Sequence, residues 1–123
     1  MRLKLLIVDD SMVIRNRIAR LCLDMRLPSL EIVGLAGDGR QAVDLAERFR
    51  PDLVTMDLTM PHMDGEACIA HIAARLPETR ILVVSALSDK ATALRALKKG
   101  AQGFLHKPFS DAALIEALLE LIR

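Results

Sequence analysis

Five side chains capable of chemistry stand where four apolar runs end: Asp9 and Asp10 after LKLLIV, Asp57 after LVTM, Ser85 after ILVV, and Lys107 after GFLH. If those runs are parallel strands of one sheet, their carboxyl ends share the edge at which open α/β sheets bind ligands. Adjacent strands lie about 4.8 Å apart, so the three carboxyl groups must crowd one another. Like charges this close raise each other's proton affinity unless a cation intervenes. Mg²⁺ takes an octahedral set of oxygens and commonly uses only one or two carboxylates together with phosphate oxygens. With no His placed among the acids and neither Cys near them in sequence, the cluster suits Mg²⁺ better than zinc. Asp57 can then serve as a carboxylate nucleophile that accepts a phosphoryl group. Such a transfer needs mainly positioning and charge cancellation on the equatorial oxygens. Mg²⁺, the Lys107 ammonium and the Ser85 hydroxyl supply one contact each. The Ser85 contact would exist only with phosphate present, the difference between states that a switch requires.

Taken singly, each residue has a plainer reading. An acid at a strand end is most often a turn or helix cap, a lysine a solvated charge, a serine a loop residue. Their joint placement, at the ends of four runs expected to be adjacent in the order 1-3-4-5, is what points to a site.

The elements that must position these groups follow from hydrophobic patterning. Apolar runs alternate five times with amphipathic stretches, the pattern of a parallel sheet wrapped by helices. Strands are expected at 3–9, 31–36, 53–57, 80–85 and 103–107, and helices at 12–25, 39–50, 65–76, 89–99 and 111–123. Leu45, Phe49, Ile69 and Ile72 recur at helical spacing, and Ser11, Ser88 and Ser110 are candidate N-caps. Strands 1, 3 and 4 are nearly continuous Val, Leu, Ile and Met, as strands covered on both faces should be. Strands 2 and 5 carry Glu31, Gly34, Gly103 and His106 and read as edges. Right-handed crossovers then give the order 2-1-3-4-5, a flavodoxin-like three-layer (βα)5 α/β sandwich. One domain, 1–123, is expected, with no linker, internal sequence repeat or low-complexity segment.

Composition sets the surroundings. Seventeen basic and sixteen acidic residues leave a formal charge of +1, without a run of like charge that would suggest a polyanion-binding tail. The apolar segment after Met1 is short and contains Lys4, which excludes a signal peptide or membrane span. A cytoplasmic protein is expected. Cys22 and Cys68, the only cysteines, fall among apolar residues on expected helices without metal-ligand spacing, and read as buried free thiols.

The chain resembles bacterial response-regulator receiver domains over its whole length. The matching pieces are IVDDS at 7–11, VTMDLTMPHMDG at 54–65, VVSA at 83–86 and GAQGFLHKPF at 100–109. The resemblance implies that Asp57 is the phospho-acceptor. Asp10 would be a direct Mg²⁺ ligand, with Asp9 helping through water and the backbone carbonyl of Thr59 as a further ligand. It also makes Ser85 the switch hydroxyl, Lys107 the phosphate contact, and Phe104 the aromatic that turns inward as Ser85 moves. The donor would be a phosphohistidine on a sensor histidine kinase or phosphotransfer protein. The protein would catalyse only its own phosphorylation and dephosphorylation.

Other residues near the motifs have narrower readings. Thr59 and Leu87 stand two residues past Asp57 and Ser85, where side chains could screen attacking water, and apolar Leu87 is expected to slow hydrolysis. His62, His71 and His106 read as bystanders, and Met56, Met60 and Met63 as core and loop contacts. On the last helix, Leu114, Ile115, Ala117, Leu118, Leu119, Leu121 and Ile122 spread over an arc of roughly 200°, wider than packing on a sheet needs. Part of that arc is therefore expected to be exposed. Beside it, helix 89–99 supplies Lys90, Arg95, Lys98 and Lys99. Together with strand 5 these helices resemble the receiver output face, suited to a downstream protein target or to a homodimer.

Other functions compete with this reading. An aspartate-nucleophile phosphatase resembling the haloacid dehalogenase superfamily would carry a D-x-D-x-T motif, whereas Asp57 is followed by Leu58 and Thr59, leaving no acid-base partner. A flavin module would want a phosphate loop and stacking aromatics after strand 1, where this chain has carboxylates. Within the receiver reading, a stand-alone receiver acting by protein contact, as in chemotaxis or a phosphorelay, competes with one excised from a longer regulator. Neither reading involves direct contact with nucleic acid or membrane.

Overall fold

The fold, taken from a computed structural model that describes residues 2–60, 62–87 and 89–123, alternates strands and helices throughout. The elements are β1 (Leu3–Val8), α1 (Met12–Leu21), β2 (Leu30–Ala36), α2 (Gly39–Phe49), β3 (Leu53–Met56), α3 (Gly65–Arg75), β4 (Arg80–Ser85), α4 (Lys90–Lys99), β5 (Gly103–His106) and α5 (Asp111–Ile122). All five strands are parallel in the order β2-β1-β3-β4-β5. This is the flavodoxin-like sandwich the patterning predicts, with β2 and β5 at the edges.

Side-chain alternation along the strands divides the core into two layers. Leu6, Val8, Val54, Met56, Ile81 and Val83 pack under α2, α3 and α4; Leu5, Ile7, Leu53, Leu82 and Val84 pack under α1 and α5. Cys22 and Cys68 are free and buried, one in each layer. Burial pushes their thiols up to about 11 and about 12, which keeps them protonated and poorly nucleophilic.

Each helix is N-capped by a side-chain oxygen: Ser11, Asp38, Asp64, Asp89 and Ser110 accept from Ile14, Gln41, Ala67, Thr92 and Ala113. Ser11 and Ser110 match expectation. The cap expected at Ser88 lies outside the described residues, and the cap of α4 is Asp89. Aspartate serves as well as serine at this position because its oxygen satisfies the same orphan N–H.

Two departures from the sequence reading have physical causes. Helix α1 stops at Leu21, not at residue 25. Leu23 and Asp24 donate back to Arg20 and Leu21 in tightening turns, and the Asp24 carboxylate takes both the Arg26 N–H and its guanidinium. That local bonding competes with helix, and Leu23 and Met25, 80% and 99% exposed, contribute no burial to oppose it. Within the apolar run LCLDM, Leu21 and Cys22 pack on the core while Leu23 and Met25 find no surface to cover. The second departure concerns α5, which carries none of the exposed large hydrophobics: Leu114, Ile115, Leu118 and Leu121 are buried and Leu119 and Ile122 half-buried. The exposed leucines of the expected output face are Leu94 and Leu97, on α4.

Candidate functional site

Three strands carry charged groups to one point. The β1–β3 register pairs Val8 with Met56, so Asp9 and Asp57 leave adjacent strands side by side, and the Asp57 N–H donates to the Val8 carbonyl at 2.9 Å. Asp9 is 1% exposed and Asp57 4%, while Asp10 is exposed. One carboxylate oxygen from each of the three acids lies within 4.8 Å of the others. This donor set fits a hard divalent cation: all oxygen, two buried acids and one open to water, with no His or Cys in the group.

Lys107 enters from the far edge strand. Its ammonium donates to Asp9 Oδ2 at 2.7 Å and lies 3.8 Å from Asp57 Oδ1. It therefore sits between the two buried carboxylates and favours Asp9. The sequence predicts a phosphate contact for this amine; its pairing with Asp9 is read from the structure alone. A buried carboxylate is stabilised by a paired positive charge at hydrogen-bond distance.

Asp57 is the poorly satisfied member. Burial, and then the Asp9 charge, push its carboxyl up from 3.8 to about 6, against the opposing pull of Lys107 and the Thr59 N–H. That N–H donates to Asp57 Oδ1 at 3.3 Å. A group in this state favours any arrangement that brings a further cation, a proton or a covalent cap.

Glycine makes the approach of α3 possible. A Cβ at Gly65 would fall on the Asp57 carbonyl and the Leu58 backbone, and the Gly65 N–H donates to the Leu58 carbonyl at 2.9 Å. The first turn of α3 is thus pressed against the backbone of Asp57 and Leu58. On the other side, the Arg15 guanidinium donates to the Asp9 carbonyl at 2.7 Å and lies against Gly37, bracing the turn that carries the acid pair. Arg17 donates to the Phe109 carbonyl and to Asp111 at 2.8 Å each, tying α1 to the segment after Lys107.

Ser85 is the last residue of β4, 1% exposed, and its Oγ accepts the Leu87 N–H at 3.1 Å. The hydroxyl proton is left over for another acceptor. Phe104 pairs in register with Val83 and is half-buried against the α2, α3 and α4 layer. Ser85, two residues beyond Val83, faces the same side. Thr59 is exposed, and Leu87 is 43% exposed. The histidines stand apart from the acids: His62 is exposed at a left-handed φ of 71°, His71 pairs with Glu47, and His106 bonds to the Ala86 carbonyl.

Three surface grooves, of about 420, 400 and 220 Å³, are lined mainly by residues at the amino ends of the strands and their flanking helices, including Arg50, Asp52, Glu78, Arg80 and Leu121. None includes Asp9, Asp10, Asp57 or Lys107. Among the described residues, no helix is long and apolar enough to cross a membrane.

Comparison with known proteins agrees with this geometry. Residues 5–119 match the family model described as the response regulator receiver domain. The chain is 40% identical to a chemotaxis protein CheY of Listeria monocytogenes over 116 residues, 94% of this chain and 95% of that one. It is 43% identical to a protein-glutamate methylesterase/protein-glutamine glutaminase of Alkalilimnicola ehrlichii, covering 90% of this chain but 28% of that longer protein. Among solved structures, CheY in a complex with CheX, BeF3 and Mg²⁺ from Borrelia burgdorferi superposes with a TM-score of 0.92 at 29% identity, covering 98% of this chain and 90% of that one.

Proposed function

This chain belongs to the response-regulator receiver family, and from that premise we propose that it is a CheY-like switch phosphorylated at Asp57. The observation that carries the proposal is the crowding of Asp9, Asp10 and Asp57 within 4.8 Å, with Lys107 between the two buried acids.

Asp57 is the nucleophile. With its carboxyl at about 6, it is mostly ionised at neutral pH, and one of its oxygens attacks the phosphorus of a phosphohistidine. The O–P bond forms as the N–P bond breaks, and the imidazole leaves with the bonding pair and takes a proton. Asp9, Asp10, Asp57 and the Thr59 carbonyl would hold Mg²⁺, which supplies charge cancellation on the transferring oxygens. Lys107, already at 2.7 Å from Asp9, has a short path to a phosphate on Asp57. The Ser85 hydroxyl donates its free proton to the same group, and Phe104, on the same side of the sheet, repacks as Ser85 moves. The BeF3 and Mg²⁺ bound by the Borrelia relative support this reading.

The output is contact with a protein partner, or with a second copy, through α4, β5 and α5. Leu94 and Leu97 stand exposed there beside Lys90, Lys98 and Lys99. In this reading the protein works in the cytoplasm, turns over no substrate other than its own phosphoryl group, and binds neither nucleic acid nor membrane. Leu87 slows release of the phosphoryl group by screening water, so Leu87→Ala shortens its lifetime; an unchanged rate removes that role.

The test is intact mass after incubation with acetyl phosphate and Mg²⁺. One added phosphoryl group, absent in Asp57→Asn and in EDTA, is the expected result. A phosphoryl group that persists in Asp57→Asn overturns the assignment of the acceptor.

A further inference from the structure

The ion pair between Lys107 and Asp9 is made across the sheet and not between neighbouring strands. β5 and β1 are separated by β4 and β3, about 14 Å at the usual strand spacing. A flexible lysine stem that reaches over such a span takes its accuracy from the backbone that carries it. That backbone is fastened on both sides of the residue. The Lys107 N–H donates to the Ser85 carbonyl at 2.8 Å. Past the lysine, the fastening is Arg17, in the middle of α1.

The Arg17 guanidinium makes three contacts with that segment. Its Nη2 donates to the Phe109 carbonyl at 2.8 Å, Nε and Nη2 donate to the Asp111 carboxylate at 3.2 and 2.8 Å, and its carbon lies 4.4 Å from the centre of the Phe109 ring. Phe109 is 7% exposed and packs in the layer under α1 and α5. A planar fork of this kind orders all its partners at once. The same helix also fixes the acids. The Ser11 N–H, at the N-cap, donates to Asp9 Oδ1 at 2.9 Å, and Arg15 donates to the Asp9 carbonyl at 2.7 Å. Arg17 follows Arg15 by two residues, about 200° round the helix. One arginine therefore registers the turn of the acid pair on α1, and the other registers the lysine segment on the opposite side of the same rigid element.

We propose that Arg17 is a positioning residue for the Lys107 ammonium: by holding the segment after β5 on α1, it sets how closely that ammonium sits over Asp9 and Asp57, and so how well a phosphoryl group on Asp57 is held. The proposal rests on Asp57 being the phospho-acceptor. It carries two opposite signs. Without phosphate, the ammonium competes with Mg²⁺ for the buried acids, since like charges disfavour each other in one site. With a phosphate analogue in place, ammonium and metal ion both bind the added anion. A loosened Lys107 therefore admits Mg²⁺ more readily and holds the analogue less well.

The experiment titrates Mg²⁺ alone, and then beryllofluoride at saturating Mg²⁺, following amide NMR signals because the chain has no Trp or Tyr. Arg17→Met should weaken beryllofluoride binding about three- to tenfold, more than a surface ion pair accounts for and less than the roughly hundredfold that a misplacement of about 1 Å can cost. It should tighten Mg²⁺ alone about twofold. Arg17→Lys, which keeps the charge and loses the fork, and Asp111→Asn should move both affinities in the same directions by less, and they decide the matter if Arg17→Met does not fold. In a Lys107→Met background, Arg17→Met should change neither affinity. An effect of full size in that background, a fall in both affinities, or no change in either overturns the proposal, because damage to the fold weakens both ligands with or without the lysine. If the native chain binds Mg²⁺ and no beryllofluoride, the acceptor assignment fails and the sign of the Mg²⁺ shift alone decides the role of Arg17. Binding of neither overturns both.

Discussion

Helices α4 and α5 flank the same edge strand and are held in opposite ways. Helix α5 buries Leu114, Ile115, Leu118 and Leu121, and Arg80 reaches across to donate to the carbonyls of Leu121, Ile122 and Arg123 at its end. Helix α4 buries a threonine and an alanine, shows Leu94 and Leu97 to solvent, and ends at Gly100, whose φ of 125° favours glycine. A helix held by large apolar side chains opens only with the whole domain, whereas one held by small residues and ion pairs opens at lower free energy. The helix that follows Ser85 in the chain is thus held less by the core than α5 is.

The same contrast runs across the sheet. Its interior is close-packed Leu, Ile, Val and Met, while its carboxyl edge holds two buried acids that share one lysine. Stability is concentrated in the interior and under α5; the carboxyl edge and α4 are left responsive.

Truncations should break this contrast most visibly. Leu118→Ala, at a site with no exposure, should lower the unfolding free energy by about 2–5 kcal/mol in urea. A cost similar to that of a surface substitution would refute the anchoring role of α5.

At the acid edge the expected sign is opposite. The Asp57 carboxyl keeps its proton to about pH 6 in the folded chain, against an ordinary value of 3.8. Its contribution to stability is therefore fully present below about pH 3.8 and is lost as the pH rises through about 6. In EDTA at pH 7, Asp57→Asn should accordingly be more stable than the native chain by about 1–3 kcal/mol. The gap should shrink as the pH falls toward 4, and Mg²⁺ should narrow it by stabilising only the native protein. Denaturation series at both pH values, with and without Mg²⁺, read all of these outcomes.

A smaller gain is expected in the sheet. Thr55 Oγ1 is buried without a hydrogen-bond partner among the described residues, so Thr55→Val should raise stability by about 1 kcal/mol. A loss of similar size would reveal a partner for the hydroxyl. Smallest of all, Leu94→Ala and Leu97→Ala on α4 should stay within about 0.5 kcal/mol of the native chain. If the proposed output face is right, they should nonetheless weaken binding to the partner.

Much of this was legible in the residues. Nearly continuous apolar runs ending in Asp9, Asp57, Ser85 and Lys107 marked the strands, their order and the shared edge, because parallel strands with right-handed crossovers leave few alternatives. The polar patterning of β2 and β5 marked the edges for the same reason. The end of α1 was not legible, since Leu23 and Met25 are apolar in type yet find no surface to cover. The exposure of α5 was misjudged because an apolar arc shows how much surface a helix offers, and only packing shows how much of it is taken.

The sequence by itself determined which groups meet: topology carries strand ends to one edge whatever the details of packing. Only the tertiary structure decided how those groups share their charges and which of α4 and α5 the core holds less. Lys107 pairs with Asp9 because two buried carboxylates compete for one ammonium over a distance difference of 2.7 against 3.8 Å. Arg95 finds Glu66 because α3 and α4 pack side by side, although 29 residues separate the two in the chain. Such choices depend on differences of about an ångström between competing partners, and spacing along a sequence does not encode them.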